Sequence, residues 1–150
     1  MRHKQMKVKE STLEEAFSVH KQIPEFAPSP PFTLREFEDE TGNKKCLILV
    51  SFLDNKPAGY SISYDKFGDG SLYHWMAGVI PEFRDKGLYK KMESYLENWA
   101  QKSGFQSIKV KTWNRRIEMR VALAKSGYNI VELQEKPDVL DNRLMHEKIL

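Results

Sequence analysis

Apolar and polar side chains alternate with a period that changes several times along the chain, and each change marks a predicted element. Met6 to Glu10 alternates with the period of two expected of a half-buried strand. Ser11-Thr12-Leu13-Glu14 then has the serine-to-glutamate spacing of a capping box. Leu13, Ala16, Phe17 and His20 follow at helical spacing up to Ile23, and Pro24 forbids continuation. Pro24 to Pro31 reads as a loop. Thr33-Leu34-Arg35-Glu36 repeats the capping-box spacing and Gly42 supplies a stop, so a second short helix is expected between them.

Lys45 to Leu53 is rich in β-favouring apolar residues, Asp54-Asn55-Lys56 is turn chemistry, and Pro57 to Tyr64 resumes as a strand, which together predict a hairpin. Asp65 to Gly70 is a loop before a third strand, Ser71 to Ile80, ended by Pro81. From Leu88 the positions Leu88, Met92, Tyr95, Leu96 and Trp99 form one apolar stripe, closed by Ser103-Gly104; this is the clearest helix in the chain. Gln106 to Thr112 alternates as a strand. Asn114 to Lys125 reads as a helix stopped at Gly127, and Tyr128 to Leu133 and Arg143 to Lys148 read as closing strands. The order β-α-α-β-β-β-α-β-α-β-β places the chain in the α/β (α+β) class, with a mixed central sheet and helices on both faces.

A length of 150 residues, with no repeat or linker, fits a single domain spanning 1–150. The net charge of +3 is too small to imply nucleic acid by itself but does not oppose an anionic ligand. Cys46 is the sole cysteine, inside the apolar run Cys46-Leu47-Ile48-Leu49-Val50, so an intrachain disulfide is impossible and a buried structural thiol is expected. No apolar stretch is long enough to span a bilayer, and a cytoplasmic location without membrane contact is the expectation. His20 and His146 have no second ligand at helical or hairpin spacing, so no metal site is expected.

Arg84-Asp85-Lys86-Gly87-Leu88-Tyr89 joins the third strand of the sheet meander to the amphipathic helix. A strand, a short glycine loop and a helix turn several unpaired backbone N–H groups toward one point, at the positive end of the helix dipole. Phosphate is attracted to such a point. Gly87 permits close backbone approach, and Arg84, Lys86, Lys90 and Lys91 add positive charge. A plain glycine turn before a solvated basic helix start is the competing reading of the segment alone.

Gly78-Val79-Ile80-Pro81-Glu82-Phe83-Arg84-Asp85-Lys86-Gly87-Leu88, then an amphipathic helix, then Lys109-Val110-Lys111-Thr112-Trp113-Asn114, then Ala124-Lys125-Ser126-Gly127-Tyr128, resembles the GNAT superfamily of acyl-CoA-dependent N-acetyltransferases. The resemblance implies a mostly antiparallel sheet of about seven strands. It also implies a bulged strand at Ala77 to Val79 that splays from Gln106 to Thr112, with the pantetheine arm of acetyl-CoA in the gap. Ala77, Gly78 and Val79 would line that arm, and Arg84, Asp85, Lys86, Gly87, Leu88, Tyr89 and Lys90 would surround the pyrophosphate. Tyr89 departs from the small residue the family uses there. Asn114 matches a position that often bonds the cofactor in the family, and a helix cap is an equally good reading.

For the chemistry, the resemblance implies direct transfer of acetyl to a primary amine, with the backbone N–H of Val79 or its neighbour holding the oxyanion. His74 and Tyr73, on opposite faces of the strand, stand where the family places its base or an ordered water. His74 has the more suitable pKa and Tyr73 the better chemistry for holding a water or orienting the amine. Packed side chains are the alternative for both. Leu123 replaces the helical tyrosine that many members use as general acid, and Tyr128 reads as core. The acceptor, a small molecule or a protein amine, would lie among Ile23 to Phe32 and Glu135 to Asn142. Glu25, Glu135, Asp138 and Asp141 could receive its ammonium, and Phe26 and Phe32 could form a wall. A non-catalytic acyl-CoA-binding module is the rival reading. Nucleic-acid binding through Lys86, Lys90, Lys91, Arg115, Arg116 and Arg120 is not expected, because acidic residues are interspersed. The sequence leaves a homodimer open.

Overall fold

In the computed structural model, residues 5–27 and 31–150 are described. Seven strands form one sheet in the order β1-β2-β3-β4-β5-β7-β6. The strands β1 (Met6–Glu10), β2 (Cys46–Leu53), β3 (Lys56–Tyr64) and β4 (Ser71–Val79) pair antiparallel in sequence order. β5 (Ser107–Trp113) runs parallel to β4, and β7 (Arg143–Ile149) lies between β5 and β6 (Asn129–Gln134), antiparallel to both. Parallel neighbours require a crossover, which is α3 (Leu88–Lys102). The expected element order and mixed, mostly antiparallel sheet are therefore present.

The remaining helices are α1 (Leu13–His20), α2 (Leu34–Thr41) and α4 (Ile117–Lys125). Thr33 caps α2 as expected, its hydroxyl accepting the Glu36 N–H at 3.2 Å. The cap of α1 is Thr12 rather than Ser11, with Thr12 Oγ1 accepting the Glu15 N–H. The reason is that Ser11 still donates its N–H to the Ile48 carbonyl at 2.8 Å, extending the strand by one residue before the chain turns. Asp54 and Asn55 both take left-handed backbone, the conformation that suits a two-residue hairpin, and β3 accordingly begins at Lys56. In the expected loop from Pro24 to Pro31, Pro24–Phe26 forms a short 3-10 turn, whereas residues 28–30 lie outside the described residues.

α4 starts three residues later than its pattern predicts. The N–H groups of Asn114 and Arg115 donate to the carbonyls of Asn142 and Leu140, which ties this corner to the β6–β7 loop and delays the helix to Ile117. Asn114 is therefore not a helix cap. Cys46 is half-buried rather than buried, its thiol pointing to the Lys44 carbonyl at 3.2 Å.

Two apolar clusters hold the layers together. α1 and α2 cover one face through Ala16, Val19 and Phe37, packed on Val50, Tyr60 and Ile62. α3 and α4 cover the other through Met92, Leu96, Ala100 and Leu123, packed on Leu47, Leu49, Leu72 and Ile108. Each fully buried aliphatic side chain contributes roughly 1.5–3 kcal/mol. β3 shows how one strand serves both layers. Tyr60, Ile62 and Tyr64 face α1 and α2, and Gly59, Ser61 and Ser63 alternate toward α3. Small residues on that second face admit the helix: a Cβ on Gly59 would stand 2.6 Å from Ser51 Oγ and 3.3 Å from Met92 Cε.

Candidate functional site

β4 and β5 are paired only at Ser71–Ser107, Leu72–Ile108 and Tyr73–Lys109. Beyond Tyr73 they separate, and a cleft opens through the sheet. On the other side of β4, Ser63 stands opposite His74 and Ile62 opposite Met76, which leaves Trp75 as an extra residue. The bulge is thus at Trp75, not at Ala77 to Val79. It puts Trp75 and Met76 together on the α1–α2 face, with Trp75 edge-on to Phe37 and Tyr64.

The ladder then resumes, with the Ile80 N–H donating to the Ala58 carbonyl at 2.8 Å. Antiparallel alternation consequently turns the polar groups of Gly78 toward β3 and those of Ala77 and Val79 toward the open edge. The Val79 carbonyl on that edge accepts Arg84 Nε at 2.9 Å. The N–H groups of Ala77 and Val79 face the gap. Gly78 serves packing: a Cβ there would stand 2.7 Å from Phe26 Cε2 and 2.8 Å from Ile23 Cδ1.

The cleft ends at the turn before α3. Asp85 and Gly87 have left-handed backbone, and Gly87 is the N-cap of α3 without a side-chain bond. No acid occupies the first turn, so the N–H groups of Leu88, Tyr89 and Lys90 have no carboxylate of the helix itself beside them, although Asp85, two residues before the cap, borders the same space. A Cβ on Gly87 would meet nothing within 4 Å, so the space above the turn is open. Ala77, Gly78, Val79, Asp85, Leu88 and Lys90 border this stretch of about 490 Å³; Lys86 does not. Arg84 borders it too, but its guanidinium is engaged. Nη1 and Nη2 hold both oxygens of Glu25 at 2.8 and 3.0 Å. Those bonds, more than any other influence, lower the Glu25 carboxyl to about 2.

Tyr89, Arg116 and Met119 border the end of the cleft at the turn before α3, the groove along α4 and the stretch between β4 and β5. Tyr89 lies over His74, the rings nearly parallel at 6.5 Å. Burial first, then Glu93, raises its phenol far above the ordinary range. His74 is 5% exposed, with Nε2 3.2 Å from Ser61 Oγ and Nδ1 3.2 Å from Glu93 Oε1, the latter off the hydrogen-bond direction. Tyr73 points to the opposite face, edge-on to Tyr64 and Phe67. Leu123 and Tyr128 lie in the core, and the Tyr128 hydroxyl has no hydrogen-bond partner.

Of the residues expected at the acceptor, Phe26 borders the cleft and stacks on His20 at 5.3 Å, whereas Phe32 packs on Phe37 and is 41% exposed. Three of the four carboxylates are engaged elsewhere: Asp138 accepts the Leu140 N–H, Asp141 pairs with Arg115, and Glu25 pairs with Arg84. Glu135 is exposed and borders none of the cleft. Asn114 Nδ2 donates to the Val139 carbonyl at 3.0 Å. Sequence reasoning passed over Glu93, Lys111 and Arg143. Glu93 stands four residues after Tyr89 on the same helical face, a readable signal. Arg143 meets Trp113 only through the β5–β7 register, which no local pattern encodes. Among the described residues no cluster of potential ligands could hold a metal ion, and no helix is long and apolar enough to cross a membrane.

Comparison with known proteins agrees with this arrangement. The ribosomal-protein-S18-alanine N-acetyltransferase of Escherichia coli superposes with a TM-score of 0.80 at 13% identity, over 97% of this chain and 94% of that one. Ard1 of Thermoplasma volcanium gives 0.77 at 14%, over 97% of each. The PaiA N-acetyltransferase of Thermoplasma acidophilum, solved in complex with coenzyme A, gives 0.70 at 15%, over 97% of this chain and 99% of that one. A sequence search of curated proteins finds no match. The model of the acetyltransferase (GNAT) family matches residues 11–128, a span that contains β4, the glycine turn, α3 and β5. The chain belongs to the acetyltransferase (GNAT) family.

Proposed function

We propose that this protein transfers an acetyl group from acetyl-CoA to a primary amine by direct attack in a ternary complex. The reading is carried by one observation: the open edge of β4, with the N–H groups of Ala77 and Val79 turned into the gap, leads straight to the uncapped start of α3. Open space above Gly87 and the absence of an acid in the first turn suit a pyrophosphate there. When bound, acetyl-CoA supplies the activated thioester. The chain's own part is to orient it along β4 and to stabilise negative charge on the carbonyl oxygen with the Ala77 or Val79 N–H.

His74 is the proposed base. Its Nε2 rests on Ser61, Glu93 lies beside Nδ1, and a water in the stretch between β4 and β5 carries the amine proton to it. Tyr73 forms the wall on the opposite face. Leu123 cannot protonate the departing thiolate, and Tyr89, its phenol held protonated by burial and by Glu93, does not donate to it either, so the thiol leaves as the anion. The position of Leu123 favours the second reading, an acyl-CoA-binding module without turnover.

Two measurements separate these readings. Free thiol release with acetyl-CoA and an amine panel should exceed the hydrolysis background for at least one amine; tight cofactor binding without release would select the binding module. Gly87→Glu should weaken calorimetric CoA affinity on the order of a hundredfold, because a carboxylate would share the phosphate's space. Unchanged affinity in that variant would falsify the placement of the turn.

A further inference from the structure

The stretch of cleft between β4 and β5 is bordered by Lys111, Arg116 and Arg143 and by no carboxylate. Lys111 and Trp113 share one face of β5 with Lys109, and Arg143 lies over the Trp113 ring with its guanidinium carbon 4.2 Å from the centroid. Two cations near this face have partners: Lys109 pairs with Asp69 at 2.9 Å, and Lys66 with Glu40 at 3.6 Å. Lys111 and Arg143 have none among the described residues. The Arg143 Nε is buried without a hydrogen-bond partner. The groups facing Lys111 are Arg143, Lys66 and Lys136, which oppose its charge, and Glu132, which favours it from beyond ion-pair distance.

Cations held this way outnumber the one carboxylate facing Lys111, Glu132, and leave a net positive field beside this part of the cleft. An extra ammonium is disfavoured there, and an anion is favoured. The Trp113 face fixes the plane of the Arg143 guanidinium and so pre-orders a fork whose geometry matches a carboxylate. We propose that the acceptor is an amine carrying a carboxylate, which Lys111 and Arg143 bind while its amino group points toward β4. This assignment rests on the acetyl-transfer reading above, and it excludes polyamines and other polycations as preferred acceptors. The carboxylate could belong to a free amino acid or to an acidic residue beside a peptide's amino terminus.

Titration calorimetry on the whole chain tests the assignment without turnover. The probes are glycine, β-alanine and γ-aminobutyrate, each beside its primary amide, a C-terminally amidated peptide with aspartate after a free amino terminus, and spermidine. At least one carboxylate-bearing amine should bind about tenfold or more tightly than its uncharged counterpart, the magnitude of a hydrogen bond to a charged group. Free amino acid and peptide arms separate the two sources. Lys111→Met and Arg143→Gln should each remove that preference, and Lys111→Glu should shift it toward spermidine, with circular dichroism melts confirming that each variant folds. Equal binding of acids and amides, tighter binding of spermidine by the unaltered chain, or binding of no acid in the panel overturns the proposal. Acid-selective binding without thiol release would leave the anion site standing and remove the acetyl-transfer reading instead.

Discussion

The two halves of the sheet are built on different terms. From β1 to β4 both faces are covered, by α1 and α2 on one side and α3 on the other, and β3 is buried along Ala58 to Tyr64. From β5 to β6 only the α3–α4 face is covered. β6 is exposed throughout, and Ile130, Val131 and Leu133 are each more than half exposed. The closed half supplies an edge, β4, whose last residues are paired with β3 but have no strand on the β5 side. The open half supplies the other wall, which carries charge. The cleft lies along the seam, so its backbone donors come from the better-packed half and its unpaired cations from the other.

Removing the imidazole tests whether the closed half also performs proton transfer. His74→Gln should lower kcat by about 10²- to 10⁴-fold, the usual contribution of a positioned base, with CoA affinity nearly unchanged. Glu93→Gln should show a smaller loss in the same direction, because it acts through His74. A full rate in His74→Gln would remove His74 as the base. Steady-state kinetics beside CoA calorimetry separates the cases.

Packing provides the next contrast. Leu49→Ala in the closed half removes a side chain with no exposure and should cost about 2–5 kcal/mol in a urea titration. Leu133→Ala in the open half, at 52% exposure, should stay within about 0.5 kcal/mol. Gly78→Ala falls between them, at about 1–3 kcal/mol, because its Cβ drives into Phe26 and Ile23. Equal costs for the two leucines would mean that β6 is covered in solution.

What the sequence made legible follows the same seam. Elements whose signals are local were found: the α3 stripe, the Thr33 cap and the Asp54-Asn55 turn each act within a few residues of themselves. The glycine turn before α3 was legible for the same reason. Misplacements arose where a distant strand decides. Ser11 was held in the ladder by Ile48, the start of α4 was delayed by Leu140 and Asn142, and the bulge fell at Trp75 because β3 sets the register. Arg84 was read as charge for phosphate, yet its partner Glu25 lies 59 residues away. The wall that carries Lys111 and Arg143 was least legible, since these residues meet only through strand pairing.

The smallest expected effect concerns a histidine buried in each half. His20 Nδ1 lies 2.7 Å from the Tyr60 hydroxyl under α1, and His146 Nε2 lies 2.8 Å from Thr112 Oγ1 on the open half. Burial lowers both below their ordinary 6.5, and Arg120 lowers His146 further. A group depressed in the fold binds its proton more readily when unfolded. The unfolded state therefore gains protons first as pH falls below 6.5, and stability declines until the folded-state values are passed. Above 6.5 neither histidine makes stability depend on pH. The urea midpoint should hence drop between pH 7.5 and 5.5. His20→Gln and His146→Gln should each flatten that slope, His20 from within the closed half and His146 from the open one. If only His20→Gln flattens it, the β5–β7 half already admits water around His146, and the contrast in packing extends from side chains to the ladder beneath them.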